Sequence, residues 1–349
     1  MCKYIIDVVN KDDLTANGKA RYDVDNILLS LGYEKKNIHL EEIEGYGDLI
    51  KHVNIIYNEL KGIVDEIPND SDVIIQYPWI VMSYKYASYL KKAKIKKNLT
   101  LTIILHDINS LRPQGIFNKL YYKYYVKQFK FFDVFDYIIC HTDEMKKYLE
   151  DHLGKGKIIK LGIFDYLLDF KNTADDRDYK SVVIAGNLDK NKSGYIYDLN
   201  KLHNNNYHFE LFGINYSGVK NNFIHYNGSF KSEELPKNIK TGFGLVWDGT
   251  SLNSCNGSWG DYLKWNSPHK FSLYMSCGIP VIVWEKSALS NFVVENSLGF
   301  VISSLDEIEE KINDIDEEKY NILLKNVSVV QDKVINGEFL KSSLNERKS

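Results

Sequence analysis

Short apolar runs alternate with longer amphipathic stretches along almost the whole chain. In the first half, "KYIIDVV" (3–9), "DVIIQYP" (72–78), "LTLTIILHD" (99–107), "FDYIICHT" (135–142) and "KIIKLGI" (157–163) are near-continuous apolar segments. Runs of this kind suit parallel strands covered on both faces. Helical periodicity fills the intervals at 18–31, 46–65, 80–94, 116–132 and 143–152. The polar stretch "DYLLDFKNTADDRDYK" (165–180) reads as an interdomain linker. The alternation then restarts with "KSVVIAGNL" (180–188), "YHFELFGIN" (207–215), "NFIHYNG" (222–228), "TGFGLVWDG" (241–249), "IPVIVWE" (279–285) and "GFVIS" (299–303). Helices are expected there over 192–204, 231–239, 268–277, 286–296 and 305–314. The remainder, 317–349, reads as polar helix, and its 330–349 portion is expected to pack back on the first domain. Repeated strand–helix units predict an α/β protein of two doubly wound, Rossmann-like domains, 1–170 and 178–330, facing a central cleft. Ligands of such sheets bind beyond the carboxyl ends of the strands.

Composition narrows the class. A chain of 349 residues with 44% apolar and 26% charged residues is an ordinary globular protein, long enough for two cores. The net charge of −3 argues against a nucleic-acid partner. Four widely spaced cysteines (Cys2, Cys140, Cys255, Cys277) show no CxxC and no His/Cys grouping with zinc spacing, so neither disulfides nor a metal is expected. The opening "MCKYIIDVVNKDD" reads as a strand rather than a signal peptide, and no apolar run is long enough to span a membrane. A cytoplasmic location follows as the expectation.

The chemistry gathers at predicted strand ends. In "KWNSPHKFSLYMSCGIPVIVW" (264–284), Ser267 is a good N-cap, Pro268 suits the first helical position and Gly278 with Pro280 ends the helix. His269 and Lys270 then stand in the first turn, where a cation opposes the helix dipole. A bound diphosphate at this terminus would account for it; the plainer reading is a lysine reaching solvent. "AGNLDKNK" (185–192) offers Gly186 for close backbone approach, Asn187, and Lys190 as a phosphate partner. "WDGT" (247–250) offers Asp248 and Gly249, and "IHYNGSF" (224–230) offers Tyr226 as a stacking ring or as ordinary packing. On the first domain, the loop "NKDDLTANGKAR" (10–21) brings Thr15, Asn17 and Gly18 to a polyhydroxyl ligand. "LHDINSLR" (105–112) places His106, Asp107 and Arg112 at a strand end. A carboxylate there can take a proton from a hydroxyl nucleophile, or simply cap the next turn. There is no GxGxxG and no GxxxxGK[ST], so neither a dinucleotide cofactor nor an ATPase is supported.

"TANGKAR", "LHDINSLR", "GFGLVWDG" and "NSPHKFSLYMSCGIPVIV" resemble the bacterial glucosyltransferase-3 and galactofuranosyltransferase-like family, in the same order over nearly the whole chain. The resemblance implies the GT-B fold and transfer of a hexose, glucose or galactofuranose, from a UDP-sugar to a glycan acceptor without a metal or cofactor. It also implies a setting in surface-polysaccharide or glycoprotein biosynthesis, with the acceptor on a lipid carrier or glycoprotein, and a homo-oligomer. Carried over by position, the donor-binding residues are Lys190, Tyr226 and Lys270, and the acceptor-side threonine is Thr15. Lys190 departs from an arginine associated with the glucosyltransferase branch, which keeps the charge and loses the bidentate fork.

The expected mechanism sets the helix terminus at 268–270, Lys270 and Lys190 around the diphosphate. Asp107 is the base for an inverting transfer, with His106 as its alternative; a retaining transfer would need neither. The pairs at 12–13 and 175–176, "DD", are read as solvated rather than metal-binding. The helix "IFNKLYYKYYVKQFKFF" (116–132) spaces Lys119, Lys123, Lys127 and Lys130 between aromatics. It could contact the inner face of the cell membrane, a second subunit, or its own core. Two other functions fit the same sites, namely a UDP-sugar epimerase and a non-catalytic nucleotide-sugar-binding homologue that assists a partner transferase.

Overall fold

The apolar runs assemble into two parallel sheets of six strands in a computed structural model that describes residues 1–10, 16–40, 46–79, 82–112, 127–172, 178–202, 206–218 and 222–348, the side chains of 9–10, 16–17 and 46–49 excepted. Strands β1 (Lys3–Asn10), β2 (Glu34–Leu40), β3 (Asp72–Tyr77), β4 (Thr100–Leu105), β5 (Tyr137–Cys140) and β6 (Lys157–Lys160) form the first, in the order β2-β1-β3-β4-β5-β6. Strands β7 (Ser181–Asn187), β8 (His208–Ile214), β9 (Ile224–Tyr226), β10 (Phe243–Val246), β11 (Val281–Trp284) and β12 (Gly299–Ile302) form the second, in the order β12-β11-β10-β7-β8-β9.

The chain divides into one compact unit of Met1–Gly162 with Leu340–Ser349 and another of Ile163–Phe339. Residues 163–172 thus go with the second unit: the Tyr166 amide donates to Val334 O at 3.1 Å and its hydroxyl to Ser232 O at 2.6 Å. The closing helix Glu338–Asn345 straddles the division, and Ser343 donates to Lys160 O at 3.2 Å.

Burial explains why the central strands read as unbroken apolar runs. Every side chain of β3, β10 and β11 is buried. Each such Val, Ile or Leu removed from water is worth about 1.5–3 kcal/mol. Strand β2, "EKKNIHL", is absent from the sequence expectation because it lies at the sheet edge and turns mostly polar side chains outward. It pairs with β1 in parallel, Tyr4 opposite Glu34 through Asn10 opposite Leu40.

Several helices differ from expectation in extent. Helix Ala16–Ser30 begins two residues before the expected 18–31, so Asn17, expected in the loop over 10–21, lies in the helix together with Gly18. The helix expected over 192–204 is a short α-helix, Lys190–Ser193, followed by 3₁₀ turns over Gly194–Lys201. Gly194 sits at that change, where a Cβ would come 2.9 Å from Thr250 Cγ2. The helices expected over 231–239 and 286–296 shorten to Leu235–Asn238 and Ser290–Glu295, and that over 305–314 starts with 3₁₀ turns at Leu305–Glu307. Of the helix expected over 116–132, residues 116–126 lie outside the described residues, Lys119 and Lys123 among them. Lys127 and Lys130 place their ammonium groups 5.9 and 5.0 Å from the centre of the Tyr84 ring. Among the described residues no helix is long and apolar enough to cross a membrane.

Candidate functional site

In the second unit, β7 and β10 are parallel neighbours at the centre of the sheet, so the loops that follow them leave its carboxyl end together. The two loops are tied together: the Gly249 amide donates to Lys192 O at 2.9 Å, and the Tyr195 amide to Gly249 O at 3.3 Å. Gly249 has φ +115°, and a Cβ there would lie 2.3 Å from Asn256 Oδ1. Only glycine fits both the conformation and the space.

Helix His269–Cys277 begins beside this loop. Its N-cap is Pro268, with φ −70° and ψ 140°, rather than Ser267. Proline's fixed φ is compatible with the cap as well as with the first helical position, so the helix starts one residue later than the sequence suggested. It ends as expected, with Gly278 at φ 74° donating to Met275 O at 3.0 Å. Ser267 is buried, and the His269 ring stacks on Tyr166 with centroids 5.1 Å apart and planes at 27°.

Lys270 has a carboxylate within its own chain. Its ammonium lies 2.8 Å from Asp248 Oδ1 and 3.0 Å from Trp247 O. The pair is largely sequestered, with side-chain exposures of 14% for Lys270 and 8% for Asp248. The cation that looks misplaced at a helix N-terminus is therefore matched by the end of β10. These two bonds engage two of the three ammonium hydrogens.

At the end of β7, Gly186 is exposed with φ +131°, and Asn187 accepts from the Asp189 amide at 3.1 Å and from Asn215 Nδ2 at 3.0 Å. Lys190 is exposed, and its ammonium lies 4.9 Å from the centre of the Tyr197 ring. Tyr197 stacks on Tyr216 at 5.8 Å, and Tyr216 lies 4.9 Å from Tyr226. The Tyr226 hydroxyl donates to Gly213 O at 2.9 Å. Lys190 and Tyr226 are thus the two ends of one aromatic row. Its inner members, Tyr197 and Tyr216, were not singled out from the sequence, because nothing local marks them.

In the first unit, Asp107 and Arg112 form a half-buried ion pair of 2.8 Å at the end of β4. His106 is buried instead, its Nε2 2.6 Å from Gln76 Oε1. Gln76 in turn donates to Asp25 Oδ1 at 2.8 Å and Arg21 O at 3.3 Å. Arg21 bonds Asp7 and Pro78 O. Beside Asp107, His141 lies buried with Nε2 2.8 Å from Leu105 O; burial lowers its pKa, and the nearby Asp107 charge works against that. Asp7, Arg21, Gln76 and His141 were missed, although Asp7 and Gln76 carry a signal as polar interruptions of apolar strands. Thr15 and the pairs at 12–13 and 175–176 lie outside the described residues, as does the Asn17 side chain; Gly18 is in the helix.

Burial raises the Asp7 carboxyl to about 6, against the pull of Arg21 and with a further push from Asp25. An acid held above its unfolded value binds its proton more tightly in the folded protein. Its contribution to stability is full below about pH 4, the unfolded value, and is lost as the pH rises through the folded one. Stability profiles of wild type and Asp7→Asn are expected to differ in slope between roughly pH 4 and 6, the variant losing less as the pH rises. Parallel slopes in denaturant titrations would refute this.

The description "Glucosyltransferase 3-like, N-terminal domain" matches residues 2–163, and "Glucosyltransferase 3-like, C-terminal domain" matches residues 182–347. The chain is 30% identical to the β-1,6-galactofuranosyltransferase WbbI of Escherichia coli (strain K12), covering 98% of this chain and 97% of that protein. It is 25% identical to glucosyltransferase 3 of Streptococcus gordonii, over 93% and 92% of the two chains. An α-glucosyltransferase solved with UDP and a 13-mer DNA superposes with a TM-score of 0.61 at 12% identity, over 99% of this chain and 98% of that one. Two six-stranded parallel sheets with helices, in this arrangement of strands, are the GT-B fold. The chain belongs to the glucosyltransferase 3-like family of GT-B glycosyltransferases.

Proposed function

We propose that this enzyme transfers a hexose, glucose or galactofuranose, from a UDP-sugar to a glycan acceptor in the assembly of a bacterial surface polysaccharide or glycoprotein, without a metal. The observation that carries this reading is the place of Lys270. It stands in the first turn of a nine-residue helix, at the carboxyl end of the sheet that also presents Gly186, Asn187 and Gly249. The helix terminus carries partial positive charge, and Lys270 adds an ammonium whose charge Asp248 offsets in part. Asp248 acts as a positioning residue that holds the ammonium at this end of the sheet. As the glycosidic bond breaks, negative charge grows on the departing diphosphate, and preset donors stabilise it without reorganisation. Lys190 adds a second cation, and Tyr226 a face for the nucleotide base or the sugar.

For an inverting transfer, Asp107 takes the proton of the acceptor hydroxyl while Arg112 fixes the orientation of its carboxylate. His106 is the weaker choice, since its Nε2 is engaged by Gln76. The wider setting is proposed from the resemblance: a cytoplasmic homo-oligomer, working at the inner face of the membrane when its acceptor is lipid-linked. The UDP ligand of one solved neighbour agrees with the donor class.

Calorimetric titration of UDP into the full chain in EDTA tests the reading. Saturable 1:1 binding without metal is expected, followed by donor-dependent transfer when UDP-hexoses and acceptor glycans are supplied together. Sugar interconversion without acceptor would mark an epimerase, and binding without turnover a non-catalytic homologue. No UDP binding would overturn the proposal.

A further inference from the structure

Away from these strand ends, β8 and β9 carry a group of side chains with different chemistry. Glu210 lies opposite His225 in the parallel register of the two strands, and His208 is two residues before Glu210 on the same face. His208 Nε2 is 3.1 Å from Glu210 Oε1, and His225 Nδ1 is 2.9 Å from the same oxygen. All three ligand atoms lie within 4.8 Å of one another. Asn227 donates to the other carboxylate oxygen, Glu210 Oε2, at 2.5 Å. Asp178 Oδ2 stands 3.7 Å from His208 Nε2.

We infer that His208, Glu210 and His225 bind a divalent transition-metal ion of the zinc class at the β9 end of the strand order of the second sheet. Two imidazoles and one carboxylate form a ligand set suited to such an ion, and a fourth position is open to Asp178 or water. The spacing fits. Ligands about 2.1 Å from a tetrahedral ion lie about 3.4 Å from one another. The distances of 2.9 and 3.1 Å to Glu210 Oε1 need only a slight opening. On binding, each ring nitrogen facing Glu210 presents its lone pair to the metal, and the imidazole proton resides on the opposite nitrogen. Asn227 orients the carboxylate from behind, the role that outer hydrogen bonds play around metal ligands. The ligand side chains are partly open to solvent, at 29%, 22% and 49% exposure, which leaves a route of entry.

The consequence is mechanical. Strand β9 has three residues, Ile224–Tyr226, and among the described residues it pairs on one side only. An ion shared between His225 and the two β8 residues would staple this edge strand, and with it the adjacent Tyr226, to the sheet. The ion would not enter the sugar-transfer chemistry itself, though it would steady Tyr226 beside it, and its binding does not depend on that function.

The test uses the full chain in a Cys2→Ser background, since Cys2 is an exposed thiol. The protein is stripped with chelator, freed of it, and titrated with Zn²⁺ against a chromophoric competitor. One Zn²⁺ per chain is expected. His225→Ala and Glu210→Gln are each expected to weaken it by at least about tenfold, with circular dichroism spectra unchanged. Zn²⁺ should also raise the unfolding temperature of the parent and not of His225→Ala. An absence of stoichiometric binding, or binding equally tight in both variants, would overturn the inference.

Discussion

Lys270→Ala is expected to cut transferase activity by about 10²–10³-fold, the cost of removing one preset donor from a developing anion. UDP binding in EDTA should weaken in parallel. The same substitution also strands the Asp248 carboxylate, which is only 8% exposed and has its ion-pair partner in Lys270. Breaking a buried pair from one side costs about 3–5 kcal/mol, so a loss of activity could arise from a damaged fold. The double variant Lys270→Met with Asp248→Asn separates the two effects. It removes both charges, and stability should largely return because neither partner is left uncompensated. Activity should not return, because the cation itself is missing. A stable double variant with near-parental turnover would show that Lys270 only neutralises Asp248.

The second large effect is expected at the other end of the chain. Arg347 Nη1 bonds Asp72 Oδ1 at 2.9 Å and Thr102 Oγ1 at 2.7 Å, while Nη2 bonds Asp72 Oδ2 at 3.0 Å and Tyr33 OH at 2.8 Å. The pair is buried, with 9% and 4% side-chain exposure. This is bidentate recognition of a carboxylate, in which arginine's planar fork matters as much as its charge. Arg347→Ala should therefore destabilise the first unit by about 3–5 kcal/mol, lowering its unfolding temperature by roughly 10 °C. Arg347→Lys should recover only part of that, since an ammonium cannot span both carboxylate oxygens. Thermal unfolding followed by calorimetry reads both; a shift below about 2 °C for the alanine variant would place this contact with ordinary surface pairs.

These two sites show what can be read along a sequence. The central strands were legible because burial on both faces leaves an unbroken apolar run, as in "DVIIQYP" and "IPVIVWE". Strand β2 was not, since an edge strand needs apolar residues on only part of its surface. Lys270 could be singled out because its oddity is local, a cation in the first turn of a well-marked helix. Its partner Asp248 lies on a different element, and only the sheet brings them together. The row from Lys190 to Tyr226 was visible only at its ends. Arg347, in the polar tail "NERKS", carries no local sign that its guanidinium is buried. The grouping of His208, Glu210 and His225 has no metal-binding spacing along the chain, because it arises from strand register, with a connecting segment between its members.

The division of the first unit bears on how the chain can be made. Its sheet is complete in the first 162 residues, yet Leu340–Ser349 belongs to the same unit. Synthesis proceeds from the N-terminus, and domains generally fold in that order as they emerge. Here the first unit is translated long before the arginine that meets Asp72. Until residue 347 has cleared the ribosome, Asp72 and Tyr33 must wait without their guanidinium, while the entire second unit is synthesised. The last step in maturing the first-made half is thus the docking of a segment made after the other half.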